Sequence, residues 1–242
     1  MAPPSSPEVA AGQLTLVGTV HRQPGNAVGL PALLQELAPD AITLEVSPFA
    51  IHWRLAVGPR LLARLEKILD RFSALHGVDR GSLEKHPQVV GIRSLLALPE
   101  EFRGAAGYAG PRGVPLALID LSAVSARKLR RVETELVTWE NLSMLLTLPP
   151  ALSPGEDYLL ARRLLAGKVA LEVRQAFLAG RRGREGIGVR DAIMAREIRR
   201  RRPRGHLVHV GGWVHLLADE QGETLFSRLA ELKPGRRLLD PF

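Results

Sequence analysis

The sequence predicts an α/β fold, a central, mostly parallel or mixed sheet flanked by helices. Short apolar runs alternate with longer segments of helical period over the whole chain, as expected for strands separated by crossover helices. The pattern Gly-x-x-His occurs twice, as Gly18-Thr19-Val20-His21 and Gly212-Trp213-Val214-His215, each directly after such a run. Both copies read as buried strands that break at a glycine. Each delivers a histidine just beyond the carboxyl edge of the sheet, where ligands bind in open α/β folds.

The elements follow in order. Residues 1–12 are rich in Pro, Ser and Ala and have neither the basic start nor the apolar stretch of a signal peptide, so a disordered leader is expected. A single domain is expected over 13–242. Its first strand holds Leu14, Leu16 and Val17; a loop at Gln23-Pro24-Gly25-Asn26 and a helix over 30–37 lead to Pro39-Asp40, which punctuates the chain. A strand over 41–46 carries Glu45 near its end. The connection over 47–113 is too long for a plain loop in a compact domain, and a helical, lid-like insertion is predicted there. It contains amphipathic helices near 60–75 and 89–98, with a glycine-rich close over 104–113 as its hinge. A third strand over 115–119 ends at Asp120. Helices are predicted over 126–146, 156–179 and 190–202, then the second Gly-x-x-His strand. The glycines over 183–188 lack the preceding strand of a phosphate-binding loop and read as a flexible loop.

The order after His21, namely loop, helix, Leu37-Ala38-Pro39, strand and Glu45, is echoed after His215 by loop, helix, Leu232-Lys233-Pro234, strand and Asp240. This correspondence suggests an internal duplication, each half supplying a strand-edge histidine and then a strand-edge carboxylate.

Composition narrows the function. A chain of 242 residues with 45% hydrophobic content can bury a sizeable core. No stretch approaches the ~18 uninterrupted apolar residues of a membrane span. The absence of cysteine excludes disulfides and thiolate ligands, which fits a cytoplasmic setting and leaves His, Asp and Glu as the metal-binding side chains. The formal charge of +8 and the run Arg199-Arg200-Arg201-Arg202-Pro203-Arg204 raise a nucleic-acid reading. It is disfavoured: arginine is spread over the predicted helices from residue 60 onward, and only 5% of residues are aromatic, too few for stacking platforms. The run reads as a solvated helix end that Pro203 stops.

If the strands lie side by side, His21, Glu45, Asp120 and His215 bring two imidazoles and two carboxylates into one cleft. That set suits a divalent metal such as Mn, Co or Zn, whose bound water would hydrolyse an amide or ester. Arg190, at a helix start, could hold a substrate carboxylate or stabilise an oxyanion. A metal-free alternative has His21 or His215 as general base, oriented by Glu45 or Asp120. Each residue also has a structural alternative: the histidines as strand-turn caps, Glu45 capping the turn at Ser47-Pro48, Asp120 capping a helix near Ser125, and Arg190 pairing with Asp191 or Glu197. His209 is expected in packing, and His52, His76 and His86 on the surface.

These landmarks together resemble the TraB/PrgY/GumN and Tiki superfamily. The matching residues are Val17-Gly18-Thr19-Val20-His21, Thr43-Leu44-Glu45, Leu118-Ile119-Asp120, Arg190-Asp191-Ala192-Ile193-Met194-Ala195 and the second Gly-x-x-His. The chain departs from the pattern at Val189, where the family has Glu, and lacks the trailing membrane helices of some members; a stand-alone soluble member is expected. The resemblance implies a fold like that of the erythromycin esterase and ChaN groups. What it implies for chemistry is uneven, since Tiki proteins are metal-dependent proteases, erythromycin esterases use a histidine to activate water, ChaN proteins bind haem and TraB/PrgY proteins block a peptide pheromone. The leading expectation is a metal-dependent hydrolase acting on a peptide or small ester, and its rival is a non-catalytic protein that sequesters a peptide or haem.

Overall fold

The computed structural model describes residues 12–21, 25–148, 154–183, 185–201 and 205–239. The expected disordered leader and Asp240 therefore lie outside the described residues, apart from Gly12.

Five strands build one sheet: β1 (Leu14–Thr19), β2 (Ala41–Leu44), β3 (Leu116–Leu118), β4 (Leu207–Gly212) and β5 (Gly235–Leu238). Their order is β3-β2-β4-β1-β5, and every pairing is parallel. β1 and β4 lie inside the sheet and are buried along their whole lengths, which explains why most of their residues are apolar or glycine. The chain leaves β1 for β2 and β4 for β5 in opposite directions. Right-handed crossovers then fall on opposite faces of the sheet. One face carries α1 (Gly25–Leu37), whose Leu30 and Leu34 pack with Val17, Val208 and Val210. The other receives Leu216, Leu225 and Leu229 from the β4–β5 connection, packed with Leu16 and Leu207. The crevice between the carboxyl ends of β1 and β4 is thus the topological switch point.

The segment between β2 and β3 is helical, as expected: α2 (Pro48–Ala56), α3 (Gly58–His76), α4 (Arg80–Lys85), α5 (Pro87–Leu96) and α6 (Glu100–Arg112). Its glycine-rich end is no hinge loop. It is α6 itself, laid against α1, with Gly104 facing Asn26 and Leu30 so closely that an added Cβ would stand 3.3 Å from each. Two of the long helices expected after β3 are broken. The first is split into α7 (Ser122–Arg131), a π-helical turn (Val132–Leu136) and α8 (Trp139–Thr147). The second is split into α9 (Pro154–Leu165) and α10 (Leu171–Ala179), separated where Gly167 adopts φ 68°. Then α11 (Val189–Arg201) packs Met194, Ala195 and Ile198 onto the face that also takes α12 (Leu225–Arg228). Among the described residues no helix is long and apolar enough to cross a membrane.

The two Leu-x-Pro segments share a backbone feature. Among the described residues, the non-glycine residues at positive φ are Ala38 (44°) and Lys233 (49°), the middle residues of Leu37-Ala38-Pro39 and Leu232-Lys233-Pro234. Each turns the chain into a strand at the amino edge of the sheet, β2 in one case and β5 in the other.

Candidate functional site

The register Gly18↔Gly211 and Thr19↔Gly212 sets the two Gly-x-x-His turns side by side at the switch point. Gly18 is needed for this approach, because a Cβ there would fall 2.9 Å from the Cα of Trp213. The turn Trp213–Leu216 is 3₁₀-helical and folds back over β1. All five expected residues, His21, Glu45, Asp120, Arg190 and His215, line one cleft at the carboxyl edge.

Their connections form a chain of alternating charge. Arg190 donates from Nε and Nη2 to the two oxygens of Asp120, at 2.9 Å each, and from Nη2 to Glu45 Oε1 at 2.6 Å. Glu45 Oε1 lies 3.0 Å from His215 Nε2, and Glu45 Oε2 accepts the backbone N–H of Gly212 at 2.7 Å. His215 Nδ1 stands 2.7 Å from Asp191 Oδ1, which also accepts the N–H of Leu225 at 2.6 Å. The order is Asp120, Arg190, Glu45, His215, Asp191.

This arrangement fixes protonation states. Burial alone would lower the His215 pKa, but the charges of Glu45 and Asp191 and the hydrogen bonds to both override it and push it up to about 10. His215 is therefore an imidazolium wedged between carboxylates. Burial would raise the Glu45 carboxyl, yet His215, Arg190 and His21 hold it well below its usual range. Arg190 is likewise kept charged: the fields of Glu45 and Asp120 and its bonds to both outweigh its burial.

His21 differs. Its ring is about half exposed, 53% for the side chain, and Nδ1 lies 3.1 Å from Glu101 Oε1. Glu101 is buried in the first turn of α6, and its other neighbours at Oε1 are donors, the Thr19 hydroxyl at 3.0 Å and Asn26 Nδ2 at 3.2 Å. Asn26 in turn accepts from the Tyr158 hydroxyl. Burial tends to raise the Glu101 pKa, but His21 and Thr19 keep it lowered. An anionic acceptor at Oε1 requires the proton on His21 Nδ1, which leaves the Nε2 lone pair facing the cleft. Burial acts to lower the His21 pKa, and Glu101 and Glu45 more than reverse it, leaving a raised value.

The expected metal ligands do not fit a shared cation in this arrangement. His215 has both ring nitrogens on carboxylates and so no free lone pair, and Asp120 turns both oxygens onto Arg190, a cation already in place. Among the described residues no group of three or more His, Asp or Glu side chains is placed to hold a metal ion. The guanidinium of Arg190 stands between Glu45 and Asp120. It is engaged there and not with Asp191 or Glu197 of its own helix, and Asp120 binds it in place of capping α7. The N-cap of α2 is Ser47 and not Glu45.

His209 packs in the core, as expected. It is buried beneath the site, meets the Thr43 hydroxyl through Nδ1 at 3.0 Å, and is kept neutral by burial, with its pKa lowered to about 4. His206 lies at the opposite edge of the sheet, between Thr15 and the Leu37 carbonyl. His52 and His76 are exposed, while His86 accepts from Gln88 N at the start of α5. Sequence reasoning missed Glu101 and the partner role of Asp191. Glu101 follows Glu100 in a helical first turn, where acids are common for the helix dipole alone. Asp191 carried a signal in its adjacency to Arg190, since neighbours in a helix reach different partners.

Two cavities flank this line of residues, one of about 260 Å³ and one of about 440 Å³. His21, Glu45 and Arg190 border both, with Gly211 in the first and Gly212 in the second. Comparison of the chain with protein-family models, curated proteins and solved structures gives no match.

Proposed function

We propose that the chain is a hydrolase of the TraB/Tiki type that cleaves an ester or peptide bond, with His21 as general base and without a catalytic metal. The observation that carries this is the His21–Glu101 pair, an imidazole held by a buried carboxylate through one nitrogen with its other nitrogen open to the cleft. Such a pair takes a proton from water at Nε2 while the carboxylate steadies the charge that forms. The water oxygen then bonds to the substrate carbonyl carbon, and the carbonyl electron pair moves onto its oxygen. Arg190 supports that oxyanion: its bonds to Asp120 and Glu45 use Nε and Nη2, and among the described residues Nη1 has no hydrogen-bond partner. Collapse of the intermediate expels the alcohol or amine, which takes the proton from His21 Nε2. His215 serves as a fixed cation that holds Glu45 in place, because an imidazole with a pKa of about 10 is a poor base at neutral pH. The order of the family-like landmarks along the chain supports the same assignment, since each of them borders the cleft.

The test is the pH–rate profile of ester hydrolysis by the wild type, His21→Ala and Glu101→Gln. The rate should rise with pH through the raised pKa of His21. His21→Ala should lose about 10²–10⁴-fold, and Glu101→Gln should move the inflection to lower pH. Wild-type rates in His21→Ala would refute the assignment, and tight ligand binding with no turnover would favour the sequestering protein.

A further inference from the structure

The cleft has two sides. Three residues, His21, Glu45 and Arg190, form a saddle with one cavity on each flank. The floor on either side is a glycine, Gly211 under the first cavity and Gly212 under the second, so no side chain of β4 divides them. Apolar groups line both flanks: Val46, Leu95 and Leu129 on one, Val20, Leu160 and Trp213 on the other. The cations on the two walls are engaged. Arg54 donates to the carbonyls of Ala50 and Leu95, Lys128 to that of Glu185, and Arg181 to that of Phe177 while lying over the Phe177 ring. A substrate carboxylate on either flank would also face carboxylates of the protein, Glu100 and Glu101 on one side and Asp157 on the other.

We infer that the substrate is an ester or amide whose scissile bond lies internally, joining two uncharged apolar groups that fill the cavities on opposite sides of the saddle. The inference rests on the hydrolase reading for the position of the scissile bond, while the two-sided groove stands on geometry alone. Cavities of a few hundred Å³ match the size of small-molecule sites. An attacking water at His21 Nε2 reaches a carbonyl lying across the saddle, with the acyl group on one flank and the leaving group on the other. A substrate with a minimal group on either side leaves one apolar cavity unfilled and forgoes that burial, about 0.8 kcal/mol for each methylene, a factor of about four.

Three isomeric ten-carbon esters separate the possibilities: ethyl octanoate, pentyl pentanoate and octyl acetate share composition and differ only in where the ester sits. The central isomer should have kcat/KM at least about tenfold above both others. Ser94→Trp narrows the first cavity and Val214→Trp the second. Each should erase the preference for the central ester, and the two should favour opposite end isomers. Leu160→Trp provides a second, partly exposed filler of the second cavity should Val214→Trp fail to fold. Binding of 5-nonanone and 2-nonanone by titration calorimetry gives a readout independent of turnover. Preference for the central ketone without hydrolysis of any ester would keep the groove and overturn the hydrolase. Hydrolysis of all three esters at equal kcat/KM, or both fillers acting on the same isomer, would overturn the two-sided substrate.

Discussion

Substituting the two glycines at the end of β4 separates chemistry from stability. At Gly212 an added Cβ would stand 2.7 Å from His21 Nε2 and 3.5 Å from Glu45 Oε2. Carbon contacts settle at about 3.5–4.0 Å, so the imidazole must retreat by about 1 Å. It can do so because its ring is half exposed, but the retreat takes Nε2 off the groove floor and strains the 3.1 Å contact with Glu101. A displacement of about 1 Å at a reacting group can cost ~10²-fold in rate. The backbone raises no objection: Gly212 has φ −61° and ψ 135°, open to any residue. Replacing glycine at such a site stabilises by about 0.4–1 kcal/mol through the unfolded chain. Gly212→Ala should therefore lose roughly 10²-fold in pentyl pentanoate hydrolysis, with a melting temperature unchanged or higher. Gly211→Ala is the control. Its Cβ would meet Glu45 Oε2 at 2.7 Å and His209 Nε2 at 3.0 Å, both buried, and Glu45 is already held by Gly212, Arg190 and His215. Nothing there can yield, so the overpacking should cost about 1–3 kcal/mol and lower the melting temperature by several degrees. A Gly212→Ala variant that hydrolyses the ester at the wild-type rate would refute the placement of the base.

Protonation sets a second expectation. His215 has its pKa raised from 6.5 to about 10, so its stabilising contribution is complete below pH 6.5 and is lost as pH climbs toward 10. His209 is opposite in sign. Lowered to about 4, it favours the folded state above pH 6.5, and that contribution fades as pH falls toward 4. Melting temperature should consequently drop between pH 7 and 10, and His215→Asn should flatten that limb while losing about 3–5 kcal/mol at pH 7, because it leaves the buried Asp191 without its cation while Glu45 keeps Arg190. Metal removal is the third: exhaustive chelation should leave both ester hydrolysis and melting temperature unchanged, and activity restored only by Mn, Co or Zn would overturn the metal-free mechanism. Fourth, reversing Arg200 and Arg201 to Glu should leave rate and fold nearly intact. Both are pairs with Glu197 at the surface, and exposed ion pairs contribute at most about 1 kcal/mol. A shift of DNA or RNA in a gel by the wild type, lost in this double variant, would instead assign that helix end to polyanion binding.

The gathering of His21, Glu45, Asp120, Arg190 and His215 at one edge was legible in the sequence because it follows from strand ends and parallel topology, which apolar runs and intervening helices reveal. Their division of labour was not. The duplicated motif makes the histidines look equivalent, but protonation depends on through-space neighbours, and those differ: Asp191 and Glu45 around His215, Glu101 beside a solvent-facing His21. Arg190 was foreseen as a substrate clamp. Its insertion between Glu45 and Asp120 depends on where α11 docks, a tertiary fact. The glycines over 104–113 misled for a related reason, since local propensity assigns them to a loop while packing against α1 keeps them helical. The break at the π-helical turn Val132–Leu136 carries no proline or glycine to announce it.

The bends at Ala38 and Lys233 place an engineering margin at the far side of the molecule from the cleft. A left-handed backbone costs a residue with a Cβ roughly 1–2 kcal/mol, whereas glycine adopts it freely at an entropic cost of about 0.5–1 kcal/mol. The difference favours glycine at both positions. Because both bends enter their strands at the amino edge while the chemistry sits at the carboxyl edge, thermal tolerance gained by Ala38→Gly and Lys233→Gly would come without altering the groove. The spare stability could then absorb costly changes made there to redirect substrate choice.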